Sequence, residues 1–221
     1  MMMHVLSPSK HAFFYSVLVA VFLLATPTRA GMVVNSTDVP HTIGDQGDPG
    51  TISTLIGPSL TITDLNVIID DFQTPFVQDY RFELTSPEGT NVLLIASIAD
   101  NGILSSLNSQ SAMNFENTVF DDEATTNLEN GSAPYSGSFN IDHSTVPSPM
   151  DNGFPLSAFD GEVASGTWTL TITDQEPMDT ATLVGWSLEF TGTSVPEPSS
   201  FLFLGLTAIA AMGWKRFCLT R

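Results

Sequence analysis

The chain has 221 residues, with six lysines and arginines against 24 aspartates and glutamates. Between residues 31 and 195 a single cation, Arg81, stands against 23 of those carboxylates. This charge excludes nucleic-acid binding, which depends on lysines and arginines that displace counterions from phosphates. The only cysteine, Cys218, lies near the C-terminus, so the central region has no disulfide and no thiolate zinc site. The length suits one domain with one hydrophobic core.

The first 30 residues have the order of features that signal peptidase reads. Lys10 precedes an apolar run over residues 12–25, and small residues follow at Thr28 and Ala30. We therefore predict a secretory signal peptide that is cleaved between Ala30 and Gly31. The alternative is an uncleaved anchor, but the run is short for about 30 Å of hydrocarbon.

The next segment, residues 31–50, is polar and rich in turn formers, and we predict a loosely attached arm that leads into the domain. Alternation of apolar and polar residues then begins over 60–69 and continues over 80–84. A turn at 85–90 follows, with Pro87 and Gly89 supplying its geometry. Residues 91–98 form a continuous apolar run, which predicts a strand buried on both faces or at a sheet centre.

The clearest strands come late in the chain. Residues 99–155 are poor in regular pattern, whereas residues 166–174 and 183–191 alternate strictly between apolar and polar side chains. Nowhere does the sequence sustain a helical period. It therefore predicts an all-β domain over residues 51–192, an antiparallel β-sandwich of about eight short strands.

Several motifs of this domain occur in the order typical of one known family. They are residues 84–90, 114–124, 131–137, 156–161, 166–170 and 186–188. The domain resembles the P domain, also called the Homo B domain, which follows the catalytic domain in proprotein convertases and many bacterial subtilisin-like proteases. The resemblance implies a jelly-roll β-sandwich.

The C-terminal segment combines a short linker, residues 193–200, with an apolar run that begins at residue 201. Pro196, Glu197 and Pro198 precede that run, and Lys215 and Arg216 follow it. Cations after an apolar helix stay cytoplasmic, so the predicted helix at 201–221 would leave the acidic domain facing outward. The segment resembles a PEP-CTERM sorting signal, which implies recognition by an exosortase and an envelope or matrix protein that accompanies exopolysaccharide. A plain membrane anchor is the alternative.

No set of catalytic residues emerges from the sequence. After export only His41 and His143 are available as a general base, and residues 142–144 are too close in sequence to form a triad with each other. The many carboxylates make any glycosidase-like pair uninformative. We predict that the chain is not an enzyme.

Calcium is the one cofactor that the acidic loops suggest. Asp121 and Asp122 lie in an acidic turn shared with the resembling family, and oxygen-rich loops suit Ca²⁺. Asp79 and Asp174, each at a predicted strand end, are further candidate ligands. The alternative is a solvated acidic rim.

The aromatic residues divide into two groups. Trp168 and Trp186 are in phase with apolar strand faces, which predicts core packing and not sugar stacking. Exposed aromatic side chains are expected in the loops, at Phe115, Tyr135, Phe154 and Phe159.

Two functions remain open from the sequence. The first is an exported, non-enzymatic module that binds a partner protein or polysaccharide. The second is an accessory domain for a separately encoded subtilisin-like protease, by analogy with the P domain beside its catalytic neighbour.

Overall fold

The computed structural model describes residues 29–46, 48, 50–97, 114–141 and 155–194, and this part of the chain is a sandwich of two β-sheets. Its ten strands are β1 (Arg29–Asn35), β2 (His41–Ile43), β3 (Thr51–Gly57), β4 (Leu60–Gln73), β5 (Tyr80–Thr85), β6 (Asn91–Ile95), β7 (Phe115–Phe120), β8 (Gly137–Phe139), β9 (Gly166–Asp174) and β10 (Ala181–Ser194). Single 3-10 turns occupy Val77–Asp79, Leu128–Asn130 and Leu156–Phe159. The all-β prediction is confirmed, whereas the jelly-roll connectivity stays a prediction.

The larger sheet has six strands. Its order is β1-β10-β4-β7-β8, and β2 also pairs with β10. The smaller sheet has the order β3-β9-β5-β6. All strand pairs are antiparallel except β7 with β8, so the structure departs from the predicted antiparallel sandwich only at this edge.

Period-two alternation explains why the central strands form where they do. In β9, Trp168, Leu170 and Ile172 are buried while the threonines between them face outward. In β10, Trp186, Leu188 and Phe190 fill the opposite wall of the core. The predicted core packing of both tryptophans is confirmed. Their indole N–H groups are satisfied: Trp168 donates to the Ala164 carbonyl at 2.8 Å and Trp186 to Ser53 Oγ at 2.7 Å.

The loop aromatics behave differently from the prediction. Phe115, Tyr135 and Phe159 are fully buried, so the expectation that they are exposed was wrong; Phe154 lies outside the described residues. Phe115 begins β7 and packs against both Phe82 and Tyr135 at centroid distances of 6.0 and 5.5 Å. Short strands and turns from the middle of the chain thus contribute anchors to the core.

The segment 31–50 is not the loosely attached arm that its polar sequence predicted. Residues 29–35 form the edge strand β1, in register with β10 from Arg29 opposite Thr193 to Asn35 opposite Ser187. Backbone pairing at a sheet edge does not require alternating side chains, which is why no pattern marked this strand. Ile43 in β2 is buried and fastens the segment to the core. The predicted cleavage between Ala30 and Gly31 falls within β1 and stays a prediction.

The strand β6 is buried on both faces, as its continuous apolar run predicted. It nevertheless lies at the end of the smaller sheet in the described part of the chain, so the alternative of a sheet centre was wrong.

Both terminal segments fall largely outside the described residues. In the described ranges no helix is both long and apolar enough to cross a bilayer. The predicted sorting helix at 201–221, the residues Pro196, Glu197, Pro198, Lys215 and Arg216, and the signal peptide up to residue 28 are not among them.

Candidate functional site: an acidic pocket at one end of the sandwich

A cavity of about 720 Å³ opens at the end of the sandwich where β5 begins and β9 ends. We call it the acidic pocket. It is lined by Phe76, Gln78, Asp79, Glu176, Pro177, Met178 and Asp179. The pocket lies between the 3-10 turn Val77–Asp79, which leads into β5, and the loop that joins β9 to β10. The register holds these two segments together, because Tyr80 pairs with Asp174 and the Gln175 N–H donates to the Asp79 carbonyl at 2.9 Å.

The pocket collects carboxylates that are far apart in the sequence. Tyr80 donates its hydroxyl to Asp179 Oδ1 at 3.3 Å, and the Glu176 N–H donates to Asp174 Oδ1 at 3.0 Å. Asp45 reaches the same loop, where its Oδ1 accepts from the Met178 N–H at 2.9 Å. The sequence could not indicate this grouping, because Asp45 and Met178 are 133 positions apart.

Burial, together with the crowding of negative charge, raises the pKa values of these groups. Burial raises the pKa of Asp79, and the charges of Asp179, Asp174 and Glu176 raise it further, to about 6. Burial also raises the pKa of Asp174 to about 6. The hydrogen bond from the Glu176 N–H acts to lower this pKa, and the charge of Asp179 acts to raise it. Burial raises the pKa of Asp179, the hydrogen bonds with Tyr80 and Asp174 lower it, and the charge of Asp45 raises it again.

Several pocket oxygens have no hydrogen-bond partner among the described residues. They are Asp174 Oδ2, Asp179 Oδ2 and Gln78 Oε1, and all three atoms are buried. Asp174 and Asp179 hydrogen-bond each other while one of them holds a proton, so their oxygens lack partners only when both are ionised. Asp174 and Gln78 are only 3% and 8% exposed as residues. Buried acceptors without donors cost free energy, so the arrangement is set up to receive hydrogen bonds or positive charge from outside.

The four predicted calcium ligands do not meet at one point. Asp79 and Asp174 lie together at the acidic pocket. Asp121 and Asp122 follow the last residue of β7. That strand starts at Phe115, which pairs with Phe72, and Phe72 contacts Tyr80 next to the pocket. Six residues of strand separate the two ends by about 20 Å.

Asp121 and Asp122 help to build a turn at that other end. Asp121 Oδ1 accepts from the Glu123 N–H and Asp122 Oδ2 from the Ser157 N–H, both at 2.8 Å. Burial raises the pKa of Asp160, and nearby Asp64 and Asp122 raise it further.

The donor chemistry of the pocket suits calcium, but the placement of its side chains does not. Hard carboxylate and amide oxygens without partners are the donor chemistry that Ca²⁺ prefers. In the described part of the chain, however, no three His, Cys, Asp or Glu side chains converge in an arrangement that holds a metal ion. The calcium site stays a prediction.

The histidine that sequence reasoning considered as a base lies in β2, which pairs with β10 of the larger sheet. His41 Nε2 is 3.8 Å from Asp38 Oδ2, too far for a hydrogen bond. Asp38 instead accepts from the hydroxyl of Ser53, which is buried beneath Trp186. The serine donates its hydrogen bond to the carboxylate and not to the histidine, so Ser53 and His41 do not form a nucleophile–base pair. His143 lies outside the described residues.

Comparisons with known proteins give two family matches. Residues 64–190, more than half of the chain, match the model of the proprotein convertase P-domain, and residues 194–216 match the PEP-CTERM protein-sorting motif. Neither model describes a catalytic domain. No curated protein sequence matches the chain.

Two solved structures are similar to the chain at low identity. The first is the serine protease of Aeromonas sobria in complex with its chaperone, at 20% identity and a TM-score of 0.45 over 80% of this chain and 29% of that one. The second is the serine protease of Aeromonas sobria by itself, at 18% identity and a TM-score of 0.40 over 79% of this chain and 29% of that one. The match therefore spans less than a third of those proteins. On its family match, the chain belongs to the proprotein convertase P-domain family, and it carries a PEP-CTERM sorting motif after that domain.

Proposed function

We propose that this protein is an exported, non-catalytic P-domain module that is displayed at the cell envelope and binds a partner through the acidic pocket. The observation that carries the proposal is the position of the sorting motif. The motif begins at residue 194, and β10 ends at Ser194. The sandwich therefore passes directly into the segment that an exosortase would process, without a further domain between them.

The serine beside Asp38 and His41 is placed for a structural role, which agrees with a binding module. Ser53 is 1% exposed, and its hydroxyl bridges Trp186 and Asp38. A hydroxyl in that position stabilises the sandwich and does not face a substrate. The acidic pocket in contrast opens to solvent, and buried oxygens of Gln78 and Asp179 in its lining lack partners, which suits recognition.

The second candidate is an accessory role for a separately encoded subtilisin-like protease. Membership in the P-domain family favours it, because the family takes its name from domains that accompany proprotein convertases. The two candidates differ in genomic context. A neighbouring gene for a protease catalytic domain without its own P domain would favour the accessory role.

Surface display is tested with the full chain carrying an epitope tag inside the sandwich, expressed in a host that has an exosortase. We expect the tag to be accessible to antibody on intact cells. Replacement of Pro196, Glu197 and Pro198 by alanine should leave the chain in the inner membrane fraction. A matched triple alanine variant at residues 199, 200 and 202 should be processed normally. Equal display of both variants would overturn the proposal.

A further inference from the structure

We propose that the acidic pocket binds the side chain of an arginine that a partner protein presents. This inference rests on the proposed function as a binding module and names the chemistry of its partner.

Gln78 and Asp179, which line the pocket, and Asp174 beside it present buried acceptors that lack donors when both aspartates are ionised. Asp174 and Gln78 are more than nine-tenths buried, and Asp174 Oδ2 and Gln78 Oε1 have no hydrogen-bond partner in the described part of the chain. Asp179 Oδ2 is in the same state. A ligand with several N–H donors would satisfy these oxygens and remove the penalty of leaving them unpaired.

The charge of the pocket requires a cation that the sandwich itself does not supply. Asp79, Glu176 and Asp179 line the pocket, with Asp174 and Asp45 behind them. Arg81, the only cation between residues 31 and 195, pairs with Glu83 Oε1 at 3.1 Å. Arg29 begins β1 opposite Thr193, at the other end of the sandwich from the pocket, and the remaining lysines and arginines, at positions 10, 215, 216 and 221, belong to the two terminal segments. A positive group on a partner protein is therefore complementary to this surface.

The rim of the pocket is apolar, which favours an organic cation over a bare ion. Phe76 is 38% exposed and Met178 is 92% exposed, with Pro177 beside them. Met178 also has φ +91°, a conformation that non-glycine residues rarely adopt, and the Asp45 carboxylate holds its N–H. A large apolar side chain kept exposed in a strained backbone is typical of a ligand-contacting position. These side chains suit the methylene stem of an arginine, whose flat guanidinium stacks on aromatic rings.

Arginine fits these features better than calcium or lysine does. The cavity of about 720 Å³ is in the range that holds small organic ligands, about 300–1,000 Å³. In the described residues no three His, Cys, Asp or Glu side chains are grouped so that they could hold a metal ion. The five donors of a planar guanidinium can reach separated acceptors at once, whereas a lysine ammonium is a point charge.

The test measures binding of a labelled alanine-rich pentapeptide with a central arginine to the full-length chain, kept in detergent for its apolar ends. We expect saturable binding by fluorescence anisotropy at pH 7.5. The same peptide with citrulline, the neutral isostere, should bind at least about tenfold more weakly, because a desolvated charge pair is lost. The lysine peptide should bind less tightly than the arginine peptide. Equal binding of the citrulline or lysine peptide would overturn the inference.

A matched pair of variants locates the site. Asp179→Asn should weaken the arginine peptide at least about fivefold, since it removes a pocket charge and acceptor. Asp160→Asn makes the same change at the opposite end of the sandwich and should leave the affinity within about twofold. Equal losses in both variants would show non-specific charge attraction and overturn the inference, as would displacement of the peptide by one equivalent of Ca²⁺ with loss of arginine selectivity. A melting curve for each variant confirms that it is folded.

Failure of this inference is separable from failure of the proposed function. A chain that is displayed on cells but shows no arginine selectivity contradicts only the partner chemistry. A chain that is not displayed contradicts the proposed function whatever the peptides do.

Discussion

Two aspartates of this protein illustrate opposite uses of the same side chain. Asp38 lies beside the edge strand β3 and accepts three hydrogen bonds, from Ser53 Oγ at 2.6 Å, the Thr54 N–H at 2.7 Å and Thr54 Oγ1 at 3.1 Å. Asp79 lies in the acidic pocket among other carboxylates. Burial acts to raise the pKa of Asp38, but the hydrogen bonds from Ser53 and Thr54, with nearby His41, bring it below 3.8. The pKa of Asp79 is raised to about 6.

The difference lies in the donors that the fold supplies. Asp38 completes a chain of hydrogen bonds that runs through Ser53 to the indole of Trp186 and so joins the two sheets. Its charge stabilises the fold. The pocket carboxylates repel one another, and several of their oxygens have no donor in the described residues. Their charge costs stability, which is a common property of ligand sites.

The largest expected effect comes from removing Asp38. Asp38→Ala leaves the Ser53 hydroxyl and the Thr54 N–H without their acceptor, and hydrogen bonds to charged groups contribute about 1.5–3 kcal/mol. We expect a loss of about 2 kcal/mol in the free energy of unfolding, seen as a fall in Tm of about 4–8 °C by calorimetry. Glu116→Ala, at an exposed carboxylate on β7, is the control. If Asp38→Ala lowers Tm no more than the control does, the contrast between a stabilising Asp38 and the destabilising pocket carboxylates is refuted.

A smaller effect is expected from pH and from Asp79. The folded-state pKa values of Asp79 and Asp174 lie above the ordinary 3.8, so the folded protein binds more protons than the unfolded chain in this range. Their contribution to stability is present below pH 4 and is lost as pH rises through about 6. Asp38 acts in the opposite sense, because its contribution is lost only when pH falls below 3.8.

We therefore expect Tm to decrease between pH 5 and pH 7.5 in a thermal denaturation series. Asp79→Asn should flatten this decrease and raise Tm at pH 7.5 by about 2 °C, a modest gain because solvent screens partly exposed charges. Glu116→Gln serves as the control and should change neither the decrease of Tm with pH nor the Tm at pH 7.5. A Tm that does not vary over this range would contradict the repulsion in the pocket. The titrating groups that face one another are Asp45, Asp79, Tyr80, Asp174, Glu176 and Asp179.

The smallest expected effect is that of calcium. A structural ion that binds only the folded chain raises Tm by mass action, and millimolar Ca²⁺ should raise it by about 1–2 °C. Asp174→Asn and Asp122→Asn distinguish the acidic pocket from the turn after β7, since only the variant at the occupied end should lose the rise. If Tm does not rise, or rises equally with sodium chloride at matched ionic strength, the prediction of a structural calcium ion is wrong.

The strands that could be predicted are those whose side chains alternate. The strand β9 was predicted over residues 166–174 and occupies Gly166–Asp174, because alternating threonines and apolar residues report a half-buried strand directly. The strands β1, β2, β3, β7 and β8 went unrecognised. In β1, the neighbours Met32 and Val33 are both about half exposed. Buried and exposed side chains therefore do not alternate, and the sequence shows no period of two. The buried loop aromatics were missed for a related reason, since each is an isolated apolar residue in a polar stretch.

The amino-acid sequence by itself determined the sheet class, the acidic character, the absence of a disulfide in the domain, and the resemblance to the P-domain and PEP-CTERM families, because these follow from composition and short-range order. Only the tertiary structure decided which carboxylates meet. Asp79 and Asp174 were expected at strand ends, but their grouping with Asp179 and Asp45 depends on strand register and loop return over about a hundred residues or more. The same register separates Asp121 and Asp122 from them. Local sequence carries no record of such long-range pairing. The ionisation of each aspartate depends on that pairing, so only the tertiary structure determines it.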